Sequence, residues 1–260
     1  MFFMKKKLTF ICIDANFAEN NCVVMRVKSV LFLMILLSMF SCGKDEIKEK
    51  DSVVIDGFGL PAFKMIYVGA GSYKSSAGNE MAVGEYYIGE TEVTQSLWKS
   101  VMNNNPSYFK EDNNPVENVS WNECQDFVEE LNRITGKTFR LPYEYEWEFA
   151  ALGGNKTLHY KYSGSNNVNS VAWYYYNSLS RTHEVRTKYS NELGIYDMSG
   201  NVFEWCLDDY YQNGVGTEKV LKGGSWNYPD ENCKIYSRAC NDCNSRNNFN
   251  GLRLLMEAEE

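Results

Sequence analysis

The segment that most constrains this chain lies near its C-terminus, between residues 219 and 255. A β-type run at 219–222 meets two glycines and a Ser225-Trp226 pair, and paired glycines allow backbone conformations that are closed to other residues. Three cysteines follow within eleven positions: Cys233, Cys240 and Cys243. The pattern predicts either a tight turn that closes a late hairpin, or a turn that places Ser225 and Trp226 at the rim of a pocket whose chemistry is that of thiols.

Apolar periodicity predicts two helices in the middle of the chain. Thr94 is a candidate N-cap for a short helix. A longer helix is expected after Ser120, because Glu123 three residues later completes a capping-box pattern, and Gly136 marks its end. Cys124 lies on the apolar face of this helix, so we expect it to be a buried core residue and not a reactive thiol.

Other segments predict strands and loops. Alternating side chains predict strands at 63–67 and 83–88, and an aromatic run predicts a further strand at 172–176. Residues 103–118 are polar and contain two prolines, which predicts a long surface loop.

The N-terminal third of the sequence predicts export. An apolar run at 29–41 follows basic residues and is about half of the ~20 residues that a membrane-spanning helix needs, so residues 25–41 are predicted to be a secretory signal. The Ser41-Cys42 junction resembles a bacterial lipoprotein signal, which makes Cys42 the expected lipidated residue and the membrane a partner through that lipid anchor.

The expected domain organisation follows from this signal. Residues 1–24 form a poor signal of their own and are interpreted as an upstream extension, with the true start at Met25. Residues 42–56 are charged and aperiodic and are predicted to be a tether, and residues 57–258 a single domain. The triplet at 44–46 resembles a surface-export signal of some Gram-negative lipoproteins, so we expect an outer-membrane lipoprotein of the cell envelope that faces outward.

Charge and histidine content exclude several functions. The first 41 residues hold five of the 26 basic and two of the 34 acidic residues, which leaves 21 and 32 in the mature chain, a net charge of −11. Such a surface repels phosphate backbones, so nucleic acid is not an expected partner. With only His159 and His183, a three-histidine zinc site is impossible.

Four segments together resemble the formylglycine-generating enzyme family, also called sulfatase-modifying factors. They are Gly223-Gly224-Ser225, the string RLPYEYEWEFAA at 140–151, the string GIYDMSGNVFEW at 194–205, and Gly251-Leu252-Arg253. The resemblance implies an α+β fold, the formylglycine-generating-enzyme variant of the C-type-lectin-like fold, in a single domain with much irregular loop. Within the first string, acidic residues in the first helical turn complement the helix dipole, and Arg140 is expected to pair with Glu144 or Glu146.

The resemblance also implies a structural calcium ion. Carried over onto the 194–205 string, its ligands would be the carboxylates of Asp197 and Glu204 and the carbonyl groups of Gly200 and Val202. Hard oxygen donors, with a glycine that allows a sharp turn, suit calcium.

Copper is implied only in part. Active family members oxidise a cysteine in a Cys-X-Pro-X-Arg motif of a sulfatase to formylglycine, using copper(I) held by two cysteines. Counted from Ser225, those two positions are Tyr228 and Cys233, so one thiolate is missing. Two alternatives stay open: Cys240 or Cys243 supplies the second sulfur, or these cysteines form disulfides in an oxidising compartment.

Three functional classes therefore remain. The expected one is an exported binding or envelope-accessory module without oxidase activity, with a protein or glycan ligand at a pocket of Ser225, Trp226 and Tyr228, beside Cys233 and with Tyr236 nearby. The alternative is a copper- and oxygen-dependent oxidase that uses Cys233 on a sulfatase cysteine or on another substrate. A purely structural envelope lipoprotein is the third class.

Overall fold

The computed structural model describes residues 51–211 and 216–258. The predicted extension 1–24, the signal 25–41, Cys42 and most of the tether lie outside the described residues. The strands are β1 Ser52–Ile55, β2 Phe63–Val68, β3 Gly71–Lys74, β4 Glu80–Val83, β5 Tyr86–Gly89, β6 Phe139–Arg140, β7 Phe203–Asp209, β8 Glu218–Lys222, β9 Ala239–Asp242, β10 Asn250–Gly251 and β11 Leu255–Glu257. The helices are α1 Gln95–Met102, α2 Trp121–Thr135, α3 Glu144–Ala151 and α4 Val168–Val171, with 3-10 turns at Gly154–Lys156 and Asp230–Cys233.

The larger sheet joins the two ends of the domain. Its strand order is β1-β2-β5-β11-β6, and β11 pairs antiparallel with both β5 and β6. Strand β1 pairs antiparallel with β2, with Ser52 opposite Ile66 and Ile55 opposite Phe63. The prediction that residues 52–55 belong to the tether was therefore wrong, because they form the first strand of the sheet. Val53 and Ile55 pack against apolar residues that are distant in the sequence, so local sequence patterns do not indicate this strand.

The smaller sheet carries the C-terminal segment. Its order is β10-β7-β8-β9, with β10 parallel to β7 and the other pairs antiparallel. Strand β8 does pair with β9, but residues 223–238 separate the two strands, so the tight hairpin alternative was wrong. Gly223 and Gly224 have φ of +92° and +76°, and this left-handed backbone turns the chain out of the sheet after β8.

The helix predictions are confirmed, together with their caps. The Thr94 hydroxyl accepts a hydrogen bond from the Leu97 amide at the start of α1. Ser120 and Glu123 form the reciprocal capping box of α2, and Gly136 ends α2 in the left-handed conformation.

Two strand predictions need correction. The expected strand 83–88 is two strands, β4 and β5, separated by a turn. The expected aromatic strand 172–176 is an irregular turn. Asn177 competes with strand pairing there, since its side chain accepts from the Tyr174 amide at 2.8 Å and donates to the Ala172 carbonyl at 2.9 Å.

Three apolar clusters form the core, and the smallest contains Tyr162, Tyr174 and Cys233. In the first, Trp98 of α1 stacks on Phe127 of α2 at 4.9 Å between ring centroids, and Cys124 is fully buried beside them, as expected of a core residue. The second gathers Trp147 and Phe149 of α3. Burying each such aromatic side chain contributes about 1.5–3 kcal/mol to folding. Among the described residues, no helix is both long and apolar enough to cross a membrane.

Candidate functional site

A fully buried ion pair between Glu204 of β7 and Arg253 lies at the centre of the domain. Arg253 Nε donates to both carboxylate oxygens of Glu204, at 3.1 and 2.9 Å, and Nη2 donates to Oε1 at 2.7 Å. Neither side chain has any exposed surface. The 194–205 string and the Gly251-Leu252-Arg253 segment therefore meet at a single contact.

Further donors and acceptors complete this pair. Trp147 of α3 donates its indole N–H to Glu204 Oε2 at 2.6 Å, which brings the 140–151 string into the same network. Two more guanidinium hydrogens go to backbone carbonyl oxygens, from Nη1 to Gly89 and from Nη2 to Tyr196, each at 2.8 Å. Because buried charges are costly unless their hydrogen bonds are complete, these segments specify the fold.

Two more carboxyl groups lie close to the pair. Glu92 is buried and accepts from the Asn201 side-chain amide at 3.2 Å and from the Val202 amide at 3.4 Å. Burial, and then the neighbouring charges of Asp197 and Glu204, raise the pKa of Glu92 well above its usual range. Burial also raises the pKa of Asp197 to about 6.

Three of the four carboxylate oxygens in the calcium ligand set implied by the resemblance already accept hydrogen bonds. Each oxygen of Glu204 already accepts two hydrogen bonds, from Arg253 and Trp147, and Asp197 Oδ2 accepts from the Arg186 amide at 2.7 Å. Within residues 51–211 and 216–258, no group of three or more His, Cys, Asp or Glu side chains is placed to hold a metal ion. The expected turn at Gly200 is present, because a Cβ there would lie 2.3 Å from the Trp173 carbonyl oxygen.

The Gly-Gly-Ser turn lies directly against Cys233. A Cβ on Gly224 would lie only 2.8 Å from the Cys233 sulfur. Cys233 is fully buried among Tyr162, Tyr174 and neighbouring apolar residues, and burial raises the pKa of its thiol to about 12. At neutral pH this sulfur is a buried thiol and not a thiolate.

Tyr228 has a different environment from Cys233. Its ring packs edge-on against Phe203 and Phe249, with centroid distances of 5.1 and 5.5 Å, at the border of the first apolar cluster. Its backbone carbonyl accepts from the Tyr175 amide at 3.0 Å. The phenol ring therefore fills apolar space at the position where the resemblance would place a copper cysteine.

The other two C-terminal cysteines do not replace the missing sulfur. Cys240 lies in β9 opposite Val220, and the Cys243 sulfur accepts from Asn122 at the start of α2 at 3.8 Å. Cys233 lies instead in the cluster with Tyr162. The five cysteines of the described residues are all free thiols, so the disulfide alternative finds no support.

The comparisons with known proteins decide the family. The family model described as the sulfatase-modifying factor enzyme 1-like domain matches residues 48–258. This chain belongs to that family. The predicted α+β fold of formylglycine-generating enzymes is thereby confirmed, and a solved relative, Treponema denticola variable protein 1, has a TM-score of 0.72 and 30% identity over 80% of this chain and 99% of its own.

Curated relatives of this sulfatase-modifying factor domain carry different names. The Paenibacillus barcinonensis protein named chaperone protein LppX is 31% identical over 88% of this chain and 98% of its own length. The formylglycine-generating enzyme of Streptomyces coelicolor is 30% identical, and the inactive C-alpha-formylglycine-generating enzyme 2 of Mus musculus is 32% identical. The chain spans only 50% and 37% of those two proteins, respectively.

The sulfatase-modifying factor domain does not bring all the predicted pocket residues together. Trp226 lies edge-on to Phe109 at 5.4 Å and is half-buried, and its indole N–H donates to the Asn248 carbonyl at 2.8 Å. Tyr236 belongs to a separate cavity that includes His159, and its hydroxyl donates to the Lys74 carbonyl at 3.0 Å. No single sugar-stacking surface therefore includes both Trp226 and Tyr236.

Sequence reasoning missed the roles of two residues in the central network, Glu92 and Arg253. A signal for Arg253 was available, because it is a single charge among apolar residues in the segment GLRLL. A lone charge in such a segment implies a buried partner. Nothing local identifies that partner as Glu204, which lies 49 residues away.

Proposed function

We propose that this chain is an exported sulfatase-modifying-factor domain that binds a partner in the bacterial envelope and does not generate formylglycine. The observation that carries the proposal is the packing of Tyr228 between Phe203 and Phe249, where the first copper cysteine would lie. Copper(I) favours soft thiolate ligands, and a phenol is a poor substitute.

The state of Cys233 supports the same conclusion. A thiol with a pKa of about 12 carries almost no thiolate at neutral pH, and Cys233 is fully buried. Neither of the two positions therefore offers a ready ligand for copper. The residues present do not fit that metal, although the backbone of the Gly-Gly-Ser turn is retained.

The names of two relatives are consistent with a non-catalytic role. One is called a chaperone protein and is similar to this chain over nearly its whole length, and another is called an inactive formylglycine-generating enzyme. Together with the lipoprotein-like junction at Ser41-Cys42, this supports an envelope-associated accessory module with a lipid anchor at the outer membrane. Its ligand would be a protein or a glycan, bound by the loops of the domain.

A turnover assay tests the loss of oxidase activity against the alternative. Purified domain is incubated with copper(I), oxygen and a Cys-X-Pro-X-Arg peptide, and mass spectrometry follows conversion of the thiol to an aldehyde. We expect no conversion by the wild type and none by Cys233→Ser. Conversion by the wild type that disappears in Cys233→Ser would overturn the proposal and establish an oxidase with a rebuilt metal site.

Copper binding provides a second measurement in the same experiment. Titration with copper(I) in competition with a chromophoric chelator is expected to show no tight site in the wild type. The Tyr228→Cys variant restores the missing sulfur, so tighter copper binding by that variant alone would show that Tyr228 is the change that removed the site.

A further inference from the structure

A rigid loop at 172–183 presents apolar side chains to solvent. Ser178 holds this loop to the C-terminal segment, because its hydroxyl donates to the Trp226 carbonyl at 2.7 Å and its own carbonyl contacts His183 Nε2 at 2.7 Å. Asn114 holds the far end of the loop through hydrogen bonds to the Thr182 carbonyl and hydroxyl, at 3.2 and 3.1 Å. A loop tied at this many points does not need exposed apolar residues for its own stability.

Leu179 is the most exposed of these residues, and its backbone is strained. Its side chain is 84% exposed, and φ is +55° at Leu179 and +60° at Ser180. A non-glycine residue in the left-handed region costs of order 1 kcal/mol, and such strain concentrates at functional sites. The loop therefore exposes the Leu179 side chain to solvent at an energetic cost. Glycine or a small polar residue would adopt this backbone conformation more easily.

Exposed tyrosines accompany Leu179, in its own loop and next to a ring that contacts Trp226. Tyr175 and Tyr176 belong to the same loop, with their rings edge-on at 5.2 Å. Tyr108 is edge-on to Phe109, which in turn contacts Trp226. We call the exposed side chains of these residues the tyrosine face: Tyr108 (70% exposed), Tyr175 (61%), Tyr176 (74%) and Leu179.

A polar cavity of about 470 Å³ adjoins the tyrosine face at Leu179. The lining charges are the carboxylates of Glu111, Asp112 and Glu184 against the guanidinium of Arg181. Arg181 is 3.8 Å from Glu111, and Asp112 pairs with Lys99 from outside the cavity. Within the described residues, the side chain of Glu184 accepts only from the amide of Asn113, so its charge is available to a cation.

We propose that the tyrosine face and this acidic cavity form the docking surface for a basic segment of a partner protein, with an apolar side chain over Leu179 and a Lys or Arg side chain in the cavity. This inference rests on the proposed binding role and names the class of partner. Exposed apolar patches mark interaction sites, and tyrosine is enriched among the hot spots of protein interfaces. Charge complementarity selects the basic partner.

Two other occupants fit the surface less well. A glycan would stack on flat aromatic rings, whereas the most exposed residue here is aliphatic and the Tyr175 and Tyr176 rings stand edge-on to each other. A second copy of this chain would bring the same carboxylates to the interface, and the mature chain has a net charge of −11. Like charges across such an interface are destabilising.

A displayed library of random, cysteine-free peptides tests the proposal. The immobilised domain is expected to enrich peptides with net positive charge and at least one large apolar residue. Binding of a synthesised enriched peptide, measured by calorimetry, is expected to weaken about tenfold or more in Leu179→Ser and in Tyr176→Ser. Glu184→Gln keeps the hydrogen bond to Asn113 but removes the charge, and it is expected to weaken binding several-fold and to reduce its dependence on salt.

Controls separate the possible outcomes. Leu158→Ser changes an exposed leucine away from the tyrosine face and is expected to leave binding unchanged, and melting temperatures verify that each variant folds. Enrichment without charge preference, or binding that Leu179→Ser leaves intact, would overturn the proposal. The proposal would also be overturned if the domain bound immobilised oligosaccharides and Leu179→Ser abolished that binding. The same holds if light scattering showed dimerisation that Leu179→Ser abolishes. The library contains no cysteine, so failure here is independent of the turnover assay on Cys233.

Discussion

Arg253 and Glu204 form a buried ion pair in which every guanidinium nitrogen has a partner, and the indole of Trp147 donates to the same carboxylate. Three of the four sequence segments that resemble the family contribute to this one contact. The segments that carry the family resemblance therefore hold the domain together.

The pair should be strongly stabilising only as a complete unit. Arg253→Met leaves the carboxyl groups of Glu92, Asp197 and Glu204 buried without a cation, so we expect a loss of about 3–5 kcal/mol in the free energy of unfolding at pH 7, measured with urea. The loss should shrink toward pH 5, because burial raises the pKa of Asp197 to about 6 and the pKa of Glu92 well above its usual range, so these two carboxyl groups take up protons. Arg246→Met, which removes an exposed partner of Glu123, is the matched control and should cost less than about 1 kcal/mol.

An equal loss in both arginine variants would contradict the importance of the buried pair. If Arg253→Met does not fold, Glu204→Gln provides the second measurement. It keeps the shape of the side chain but removes the carboxylate charge that directly contacts Arg253, and it should also destabilise the domain by several kcal/mol.

Chelation of calcium is expected to have little effect on this protein. Because Arg253 and Trp147 already occupy the oxygens of Glu204, EDTA should shift the melting temperature by less than about 1 °C and added calcium should not raise it. A fall in melting temperature with EDTA that Asp197→Asn abolishes would instead establish the calcium site that the resemblance implies.

Glu117 should make stability depend on pH. Burial raises its pKa to about 7, with Lys110 acting in the opposite direction, and its Oε2 has no hydrogen-bond partner within the described residues. Since the pKa is higher in the folded than in the unfolded state, the stabilisation is complete below about pH 4.5 and is lost as the pH rises through 7. Glu117→Gln should therefore become more stable than the wild type at pH 8, by roughly 1 to 3 kcal/mol.

Urea titrations of both proteins from pH 4.5 to pH 8 check this sign. Asp197 contributes a similar trend to both proteins, so the difference between the two curves isolates Glu117. A difference that is constant with pH would show that Glu117 does not titrate in this range.

Lipidation of Cys42 is a prediction of the sequence alone. Metabolic labelling with a fatty-acid analogue is expected to label the wild type, because the short apolar run ends at Ser41-Cys42. Label that persists in Cys42→Ala would contradict the lipoprotein assignment, and release of the protein into the soluble fraction by this variant would support it.

Much of the fold could be predicted from local chemistry. The N-cap at Thr94, the capping box of Ser120 and Glu123, and the stop at Gly136 each involve residues within four positions of one another, so the chain carries that information without its tertiary context. Pairing of Arg140 with Glu144 or Glu146 was predicted from the same local pattern, and the structure pairs it with Glu146, six positions away, at 2.7 Å.

The errors arose where distant partners decide the structure. Residues 52–55 were predicted to belong to a charged tether, but in the structure they pair with β2. The aromatic run 172–176 was predicted to be a strand, but the side chain of Asn177 forms hydrogen bonds with its backbone groups. Local propensity yields to such contacts, because a strand is stabilised by its neighbours more than by its own residues.

The sequence by itself determined the family, the helices and the presence of Tyr228 where the resemblance implies a copper cysteine, because these depend on residue identity and short spacing. Only the tertiary structure decided that Cys233 is a buried thiol, that Arg253 neutralises Glu204, and that Leu179 stands out beside an acidic cavity. Burial and pairing of charges depend on which distant segments meet, and for Glu204 and Arg253 those segments are 49 residues apart.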